Sequence, residues 1–143
     1  MATTTAQATD TGLAGALVQT MHVLQDLYAE TSRPLGLTPQ QAHLLCVLLA
    51  GPLGMTDLSR ILSIERSSLT SMVDRLERRD LVARIPNPTD RRAFQIELTS
   101  AGLSLAHDAH DAFTSRIEAL TAGLSATARR TLTTTLTSVF GRS

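Results

Sequence analysis

The 143-residue chain has no lysine and no tryptophan, a single cysteine, and only four aromatic residues: Tyr28, Phe94, Phe113 and Phe140. A lone Cys46 cannot close an internal disulfide. That excludes a disulfide-stapled secreted scaffold and points to a reducing compartment, so a cytoplasmic protein is expected. No apolar run approaches the roughly 20 residues that a membrane span needs. The first cationic side chain is Arg33, with no apolar leader before it, so neither a membrane partner nor a secretory signal is expected. Four aromatics are too few for a platform on which single-stranded bases stack. Phosphate-binding glycine loops, H-E-x-x-H, G-x-S-x-G and paired CxxC patterns are all missing, so no enzyme activity and no cofactor are expected. The formal net charge is zero, which taken alone argues against a polyanionic partner.

The neutrality is an average. Residues 60–92 carry Arg60, Arg66, Arg75, Arg78, Arg79, Arg84, Arg91 and Arg92 against Glu65, Asp74, Glu77, Asp80 and Asp90, a local charge of +3, while the rest of the chain is −3. A polyanion responds to local potential rather than to the sum. Every permanently cationic side chain here is a planar guanidinium fork.

Along the chain, residues 1–11 lack large apolar residues apart from Met1 and are expected to form a disordered tail. The repeat Leu13, Leu17, Met21, Leu24, Tyr28 predicts an amphipathic helix, punctuated by Pro34 and Gly36. Thr38-Pro39-Gln40-Gln41 predicts a capping box opening a second helix, which Gly51-Pro52 stops. A short third helix is expected after Thr56 as its cap, burying Leu58, Ile61 and Leu62. After a tight turn at Ser63-Ile64, a fourth helix over about 66–79 turns Leu69, Met72, Val73 and Leu76 inward. The period then changes to two. Leu81–Ile85 and Phe94–Leu98 predict a two-stranded hairpin, with a proline-bearing tip over 86–92. Thr99 is the expected cap of a long fifth helix, with Leu98 and Leu103 as a hydrophobic staple and a ridge of Leu103, Ala106, His110, Phe113, Ile117 and Leu120. Ser125 opens a sixth, with Leu132, Leu136, Val139 and Phe140 as its apolar stripe.

Helix, tight turn, helix and hairpin in that order are the layout of a winged helix-turn-helix, whose second helix enters the major groove of double-stranded DNA. The expected fold class is therefore mainly α with a small β-hairpin wing, in about six helices. A single domain over 12–143 would hold a winged helix-turn-helix at about 38–98 and dimerisation helices at about 12–33 and 99–141. At 100° per residue, the inward set of the fourth helix leaves Ser67, Ser71, Asp74 and Arg78 on the opposite face, flanked by Thr70 and Arg75. The small hydroxyl residues Ser67, Ser68, Thr70 and Ser71 permit close approach to base edges, and free N–H groups at the helix start can hold phosphate. Arg66, Arg75, Arg78 and Arg79 are placed for backbone phosphates. At the hairpin tip, Arg91 and Arg92 can enter a narrow minor groove, with Asp90 expected to orient the Arg92 guanidinium by a bidentate pair. Terminal helices with wide apolar stripes call for cover. An isologous homodimer supplies it and presents two reading helices to a palindromic site, with half-sites roughly 10 bp between centres.

The string Asp90-Arg91-Arg92-Ala93-Phe94-Gln95-Ile96-Glu97-Leu98-Thr99, with Gly102 three residues on, fits the wing signature D-x-R-x5-L-T of the MarR (multiple antibiotic resistance regulator) family. Leu58-Ser59-Arg60, Ser67-Ser68-Leu69-Thr70 and Val73-Asp74-Arg75-Leu76-Glu77-Arg78 resemble that family's helix-turn-helix. The resemblance covers nearly all of residues 12–141. It implies a homodimeric transcription factor, usually a repressor, whose first, fifth and sixth helices form the dimer interface and whose DNA affinity a small-molecule effector often lowers. On the positions that match, Ser67, Ser68, Thr70, Ser71 and Arg75 fall in the recognition helix, and Asp90 and Arg92 in the wing. Ser63 and Glu65 stand where the family commonly has glycine and a hydroxyl residue, and Asp80 where glycine often ends the recognition helix.

Four histidines remain. His107 lies one helical turn from His110 and Asp111, and His22 or His43 could complete a group from other helices. Zinc-sensing relatives take ligands from the first, second and fifth helices, so a zinc-responsive regulator is the alternative the resemblance offers. The apolar ridge around His110 favours a hydrogen-bonded interface histidine instead. His22, His43, His107 and His110 are accordingly taken as candidates for an effector pocket, with no metal assigned. Cys46, among Leu44, Leu45, Val47 and Leu48, is expected to be a buried apolar cysteine.

Overall fold

A computed structural model describes residues 12–141, so the tail expected over 1–11 lies outside the described residues. The helices, in chain order, are α1 (Leu13–Ser32), α2 (Pro39–Val47), α3 (Met55–Leu62), α4 (Arg66–Arg78), α5 (Ser100–Leu120) and α6 (Ala126–Phe140). The strands are β1 (Leu53–Gly54), β2 (Val82–Pro86) and β3 (Phe94–Leu98). The chain divides into two compact units, Met1–Phe113 and Thr114–Ser143.

The first unit is built on a core contributed by every element of the helix-turn-helix. Leu44 and Leu45 of α2, Leu58 of α3, Leu69, Val73 and Leu76 of α4, Val82 of β2 and Ile96 of β3 are all fully buried. The four inward positions expected on α4 are the four it buries. At the start of α2 the capping box forms as its spacing predicts: the Gln41 N–H donates to Thr38 Oγ1 and the Thr38 N–H to Gln41 Oε1. Pro39 takes the first helical position, where its missing N–H costs nothing.

Both ends of the helix-turn-helix close in the same way. At the end of α3 the Ile64 N–H donates to Ser59 O and the Ser63 N–H to Arg60 O, with Ser63 left-handed at φ 54°. At the end of α4 the Leu81 N–H donates to Leu76 O and the Asp80 N–H to Glu77 O, with Asp80 left-handed at φ 59°. These are paired six-to-one and five-to-two bonds around one left-handed residue. Serine and aspartate therefore adopt the conformation in which glycine is usual. Ser59 helps by donating its hydroxyl to Ile64 O at 2.6 Å.

The wing differs from a simple hairpin. Leu53 and Gly54 pair with Ile96 and Gln95, giving a three-stranded antiparallel sheet in the order β1-β3-β2. Across β2 and β3 the register runs from Val82 opposite Leu98 to Pro86 opposite Phe94. Because Gly54 is still in the sheet, α3 begins one residue later with Gly54 as its cap. Thr56 lies inside the helix and does not cap it. Met55 is buried in place of Ile61, which is exposed.

Helix α5 is set by a joint with the end of α4. The Thr99 N–H donates to Leu81 O (3.1 Å), the Thr99 hydroxyl to Asp80 O (2.6 Å), and the Gly102 N–H to Thr99 Oγ1 (3.0 Å). A Cβ on Gly102 would overlap the Leu81 carbonyl, so only glycine admits this approach. On α5, Gly102, Ala106 and Ala109 are buried; of the expected ridge, Ala106 is covered while Leu103, His110 and Leu120 are exposed in the single chain.

In the second unit, Ser125 Oγ accepts from the Ala128 N–H at 3.1 Å and caps α6. The Arg129 guanidinium closes the preceding turn on Thr121 O (2.8 Å) and Glu118 Oε2 (3.2 Å).

The backbone contact at Gly102 gives a stability test. Gly102→Ala must push Leu81 away, and we expect a loss of about 2–3 kcal/mol in urea unfolding. A variant as stable as the parent would show that the approach is not needed.

Candidate nucleic-acid interface

The candidate interface is the outward face of α4 together with the wing. Ser67, Ser68, Thr70 and Ser71 are exposed, as are Arg66, Arg75 and Arg78. Glu65 sits at the N-cap of α4 without accepting a cap hydrogen bond in its side chain. The first turn of the helix therefore lacks a side-chain cap from that residue and offers N–H groups to an approaching anion. The Thr70 hydroxyl donates to Arg66 O at 2.9 Å, an internal bond that a base edge would have to compete with.

The arginines divide into two groups. Arg66 Nη1 lies 3.4 Å from Thr56 Oγ1, which places its guanidinium beside the start of α3. There, a cleft of about 280 Å³ is lined by Thr56, Asp57, Arg66, Asn87, Arg92 and Phe94, so arginines from α4 and from the wing face one space. Arg79, expected to bind phosphate, is instead a tether: its Nη1 donates to Gly36 O at 2.8 Å, joining the end of α4 to the turn before α2. Arg60 pairs with Asp57 at 2.9 Å.

Asp90 does not hold the Arg92 guanidinium. Its Oδ1 accepts from the Arg92 backbone N–H at 3.0 Å, and among the described residues no ion pair joins the two side chains. An aspartate two residues ahead in a turn reaches the backbone N–H more easily than a long side chain's end. Asp90 thus shapes the tip. Asn87 does the same, its Oδ1 accepting from both the N–H and the hydroxyl of Thr89 at 2.9 Å. Arg91 and Arg92 are left exposed.

Asp74, expected on the outward face, is held from the side. Arg84 of β2 donates from Nη2 to Asp74 Oδ1 at 2.6 Å and from Nη1 to Glu77 Oε1. Its guanidinium carbon lies 5.4 Å from the centroid of the Phe94 ring. The hydrogen bond to Asp74, above all, makes this guanidinium hold its proton more tightly. Arg84 carries no signal in the sequence beyond its charge, because its partners lie seven and ten residues earlier on another element.

The histidines are all exposed. His43 lies 6.0 Å from the Tyr28 ring, which packs 4.3 Å from Phe113. Among the described residues no three His, Cys, Asp or Glu side chains form a group that could hold a metal, so the zinc alternative gains no ligand set here. Cys46 is half-buried, its thiol directed to Ala106 O at 3.8 Å and its pKa pushed up by burial. That environment favours an inert thiol. No described helix is long and apolar enough to cross a membrane.

A profile described as MarR family matches residues 35–93. The multiple antibiotic resistance protein MarR of Escherichia coli K12 is 33% identical over 98 residues, covering 67% of this chain and 68% of that protein. The HTH-type transcriptional repressor MdtR of Bacillus subtilis is 34% identical over 80 residues, 55% of this chain and 52% of its own length. The crystal structure of apo wild-type E. coli MarR superposes with a TM-score of 0.78 at 29% identity, covering 90% of this chain and 96% of that one. A cysteine-to-serine mutant of E. coli MarR in complex with operator DNA superposes with a TM-score of 0.69 at 30% identity, over 87% and 94% of the two chains.

Although His43 reaches the surface, the part of its side chain covered by neighbouring atoms is desolvated, and this lowers its pKa below the ordinary imidazole value of 6.5. In the window below 6.5 the unfolded chain then binds more protons than the folded one, so stability falls as the pH is lowered through it. We expect His43→Gln to flatten that acid-side slope in unfolding measured from pH 7 to pH 5. An unchanged slope would assign it to other groups.

Proposed function

The chain belongs to the MarR family, and on that premise we propose that it is a sequence-specific, double-stranded-DNA-binding transcriptional repressor acting as a homodimer. What carries this reading is the shared outward placement of the hydroxyl-rich face of α4 and the exposed arginines of the wing. Ser67, Ser68, Thr70 and Ser71 approach base edges, with Arg75 and Arg78 beside them. Arg66 and the free N–H groups of the first turn take backbone phosphates, and Arg91 and Arg92 reach into the adjoining minor groove. Asp90 serves indirectly, by shaping the tip that presents the two arginines.

The dimer reading is supported by apolar side chains with no cover in their own unit. On α1 these include Leu13, at 77% exposure, with Val18 and Met21; on α6 they are Leu132, Leu136, Val139 and Phe140, the last two at 64% and 59%. Large apolar side chains repeated along one exposed helix face, as on α6, are expected of an interaction surface. A twofold pairing through the helices at about 12–33 and 99–141 covers them and sets two winged helix-turn-helix segments, at about 38–98, on a palindromic operator with half-sites roughly 10 bp apart. A small-molecule effector that prefers a dimer with displaced recognition helices weakens operator binding by its differential affinity for the two states. His22, His43, His107 and His110 remain candidates for contacting it. A regulator of this kind works in the cytoplasm, where the DNA is.

Titrating the protein on labelled DNA from upstream of its own gene should give a sequence-specific complex. The slope of log affinity against log salt should be about −0.9 per phosphate neutralised, and Arg66→Ala should reduce that slope by about 1. No specific complex at low salt would overturn the reading. For the dimer, Leu136→Glu with Val139→Glu should shift the mass seen by light scattering from two chains to one and abolish cooperative operator binding. A double variant that stays dimeric would place the interface elsewhere.

A further inference from the structure

The base of the wing is fixed in the core, where Val82 and Ile96 are buried. At its far end the tip over 87–93 makes local bonds, such as the Asn87 N–H to Ala93 O and the Ala93 N–H to Asp90 O. Between base and tip stands Arg84, opposite Ile96 in the β2–β3 register. Its guanidinium reaches Asp74 and Glu77, which lie three residues apart on α4, and it also packs on Phe94, the first residue of β3 after the tip.

We propose that Arg84 is the positioning residue that fixes the wing against the recognition helix, so that the face of α4 and the arginine tip meet DNA as one rigid reader. The inference rests on the DNA-reading function proposed above and adds a residue that touches neither base nor phosphate. Three features carry it. Both terminal nitrogens of the guanidinium are engaged by carboxylates and its side chain is only 26% exposed, so it is not offered to phosphate. The two carboxylates sit on the reading helix, where their charge alone would repel a polyanion, yet they are directed to the wing. The aromatic contact then fixes the plane of the fork, which a lysine ammonium cannot reproduce.

A purely electrostatic role and a clamp predict opposite signs. Removing two carboxylates from a helix that faces DNA tightens binding if they act through charge alone. If they hold the wing, Asp74→Asn with Glu77→Gln weakens operator binding, by about tenfold. Arg84→Lys, which keeps the charge, should show a similar loss with an unfolding midpoint near that of the parent. In the Arg84→Lys background, Arg92→Ala should also cost at least about threefold less affinity than in the parent, because the wing is already misplaced.

A second readout needs no DNA. Backbone ¹⁵N relaxation of the free, full-length protein should show added fast motion at 87–93 in Arg84→Lys. The clamp is overturned if the double carboxylate variant binds the operator as tightly as the parent or more so, if Arg92→Ala costs the same in both backgrounds, or if relaxation at the tip is unchanged. A parent protein with no specific complex would overturn the DNA-reading proposal instead, and the relaxation measurement would still decide the clamp.

Discussion

The backbone of Leu81 runs against α5 so closely that position 102 has no room for a side chain. The same two residues, Asp80 and Leu81, end α4 in a left-handed turn and lead directly into the wing strand β2. Thr99 then bonds to both of their carbonyls at the point where the second wing strand becomes α5. Helix α4, the wing and α5 therefore leave a single joint whose bond partners are all backbone or one hydroxyl.

Charge is distributed on the same principle. Counting arginines over residues 60–92 overstates the potential offered to a polyanion, since several already have partners in the protein. Arg79 tethers the end of α4 to Gly36, Arg84 holds Asp74 and Glu77, and Arg60 is paired with Asp57. Arg66, Arg75, Arg91 and Arg92 remain exposed, on the start and side of α4 and on the tip. Three acids of the segment are likewise engaged: Asp90 accepts from the Arg92 N–H in the tip, and Asp74 and Glu77 accept from Arg84. A chain with zero net charge can thus keep arginines exposed on α4 and the tip while some of its carboxylates are held by partners within the fold.

How far the sequence can be read depends on the distance between partners. The capping box at Thr38 and Gln41, the inward stripe of α4 and the cap at Ser125 all involve residues three or four apart, and each forms as its spacing predicts. The left-handed residues Ser63 and Asp80 are visible as departures from glycine, because helix ends are local events. The short strand at Leu53–Gly54 is not visible, since two residues carry no period. It exists only because β3, some forty positions later, presents an open edge. Without that strand, the cap of α3 is placed two residues late. On α5 the helical period is legible, but the close approach of Gly102 to the Leu81 backbone is not, because its partner lies outside that helix.

What the sequence alone determined is the list of elements, their order and the family they belong to, because helix periods, caps and the D-x-R-x5-L-T wing signature are written in neighbouring residues. The resemblance to the family singled out Asp90 and Arg92 as candidates. It could not say that Asp90 accepts from the backbone of the tip, nor that Arg84 pairs with Asp74 and Glu77 of α4. The tertiary structure decided those roles. A guanidinium or carboxylate takes whichever partner folding brings within about 3 Å, and no spacing along the chain encodes that choice.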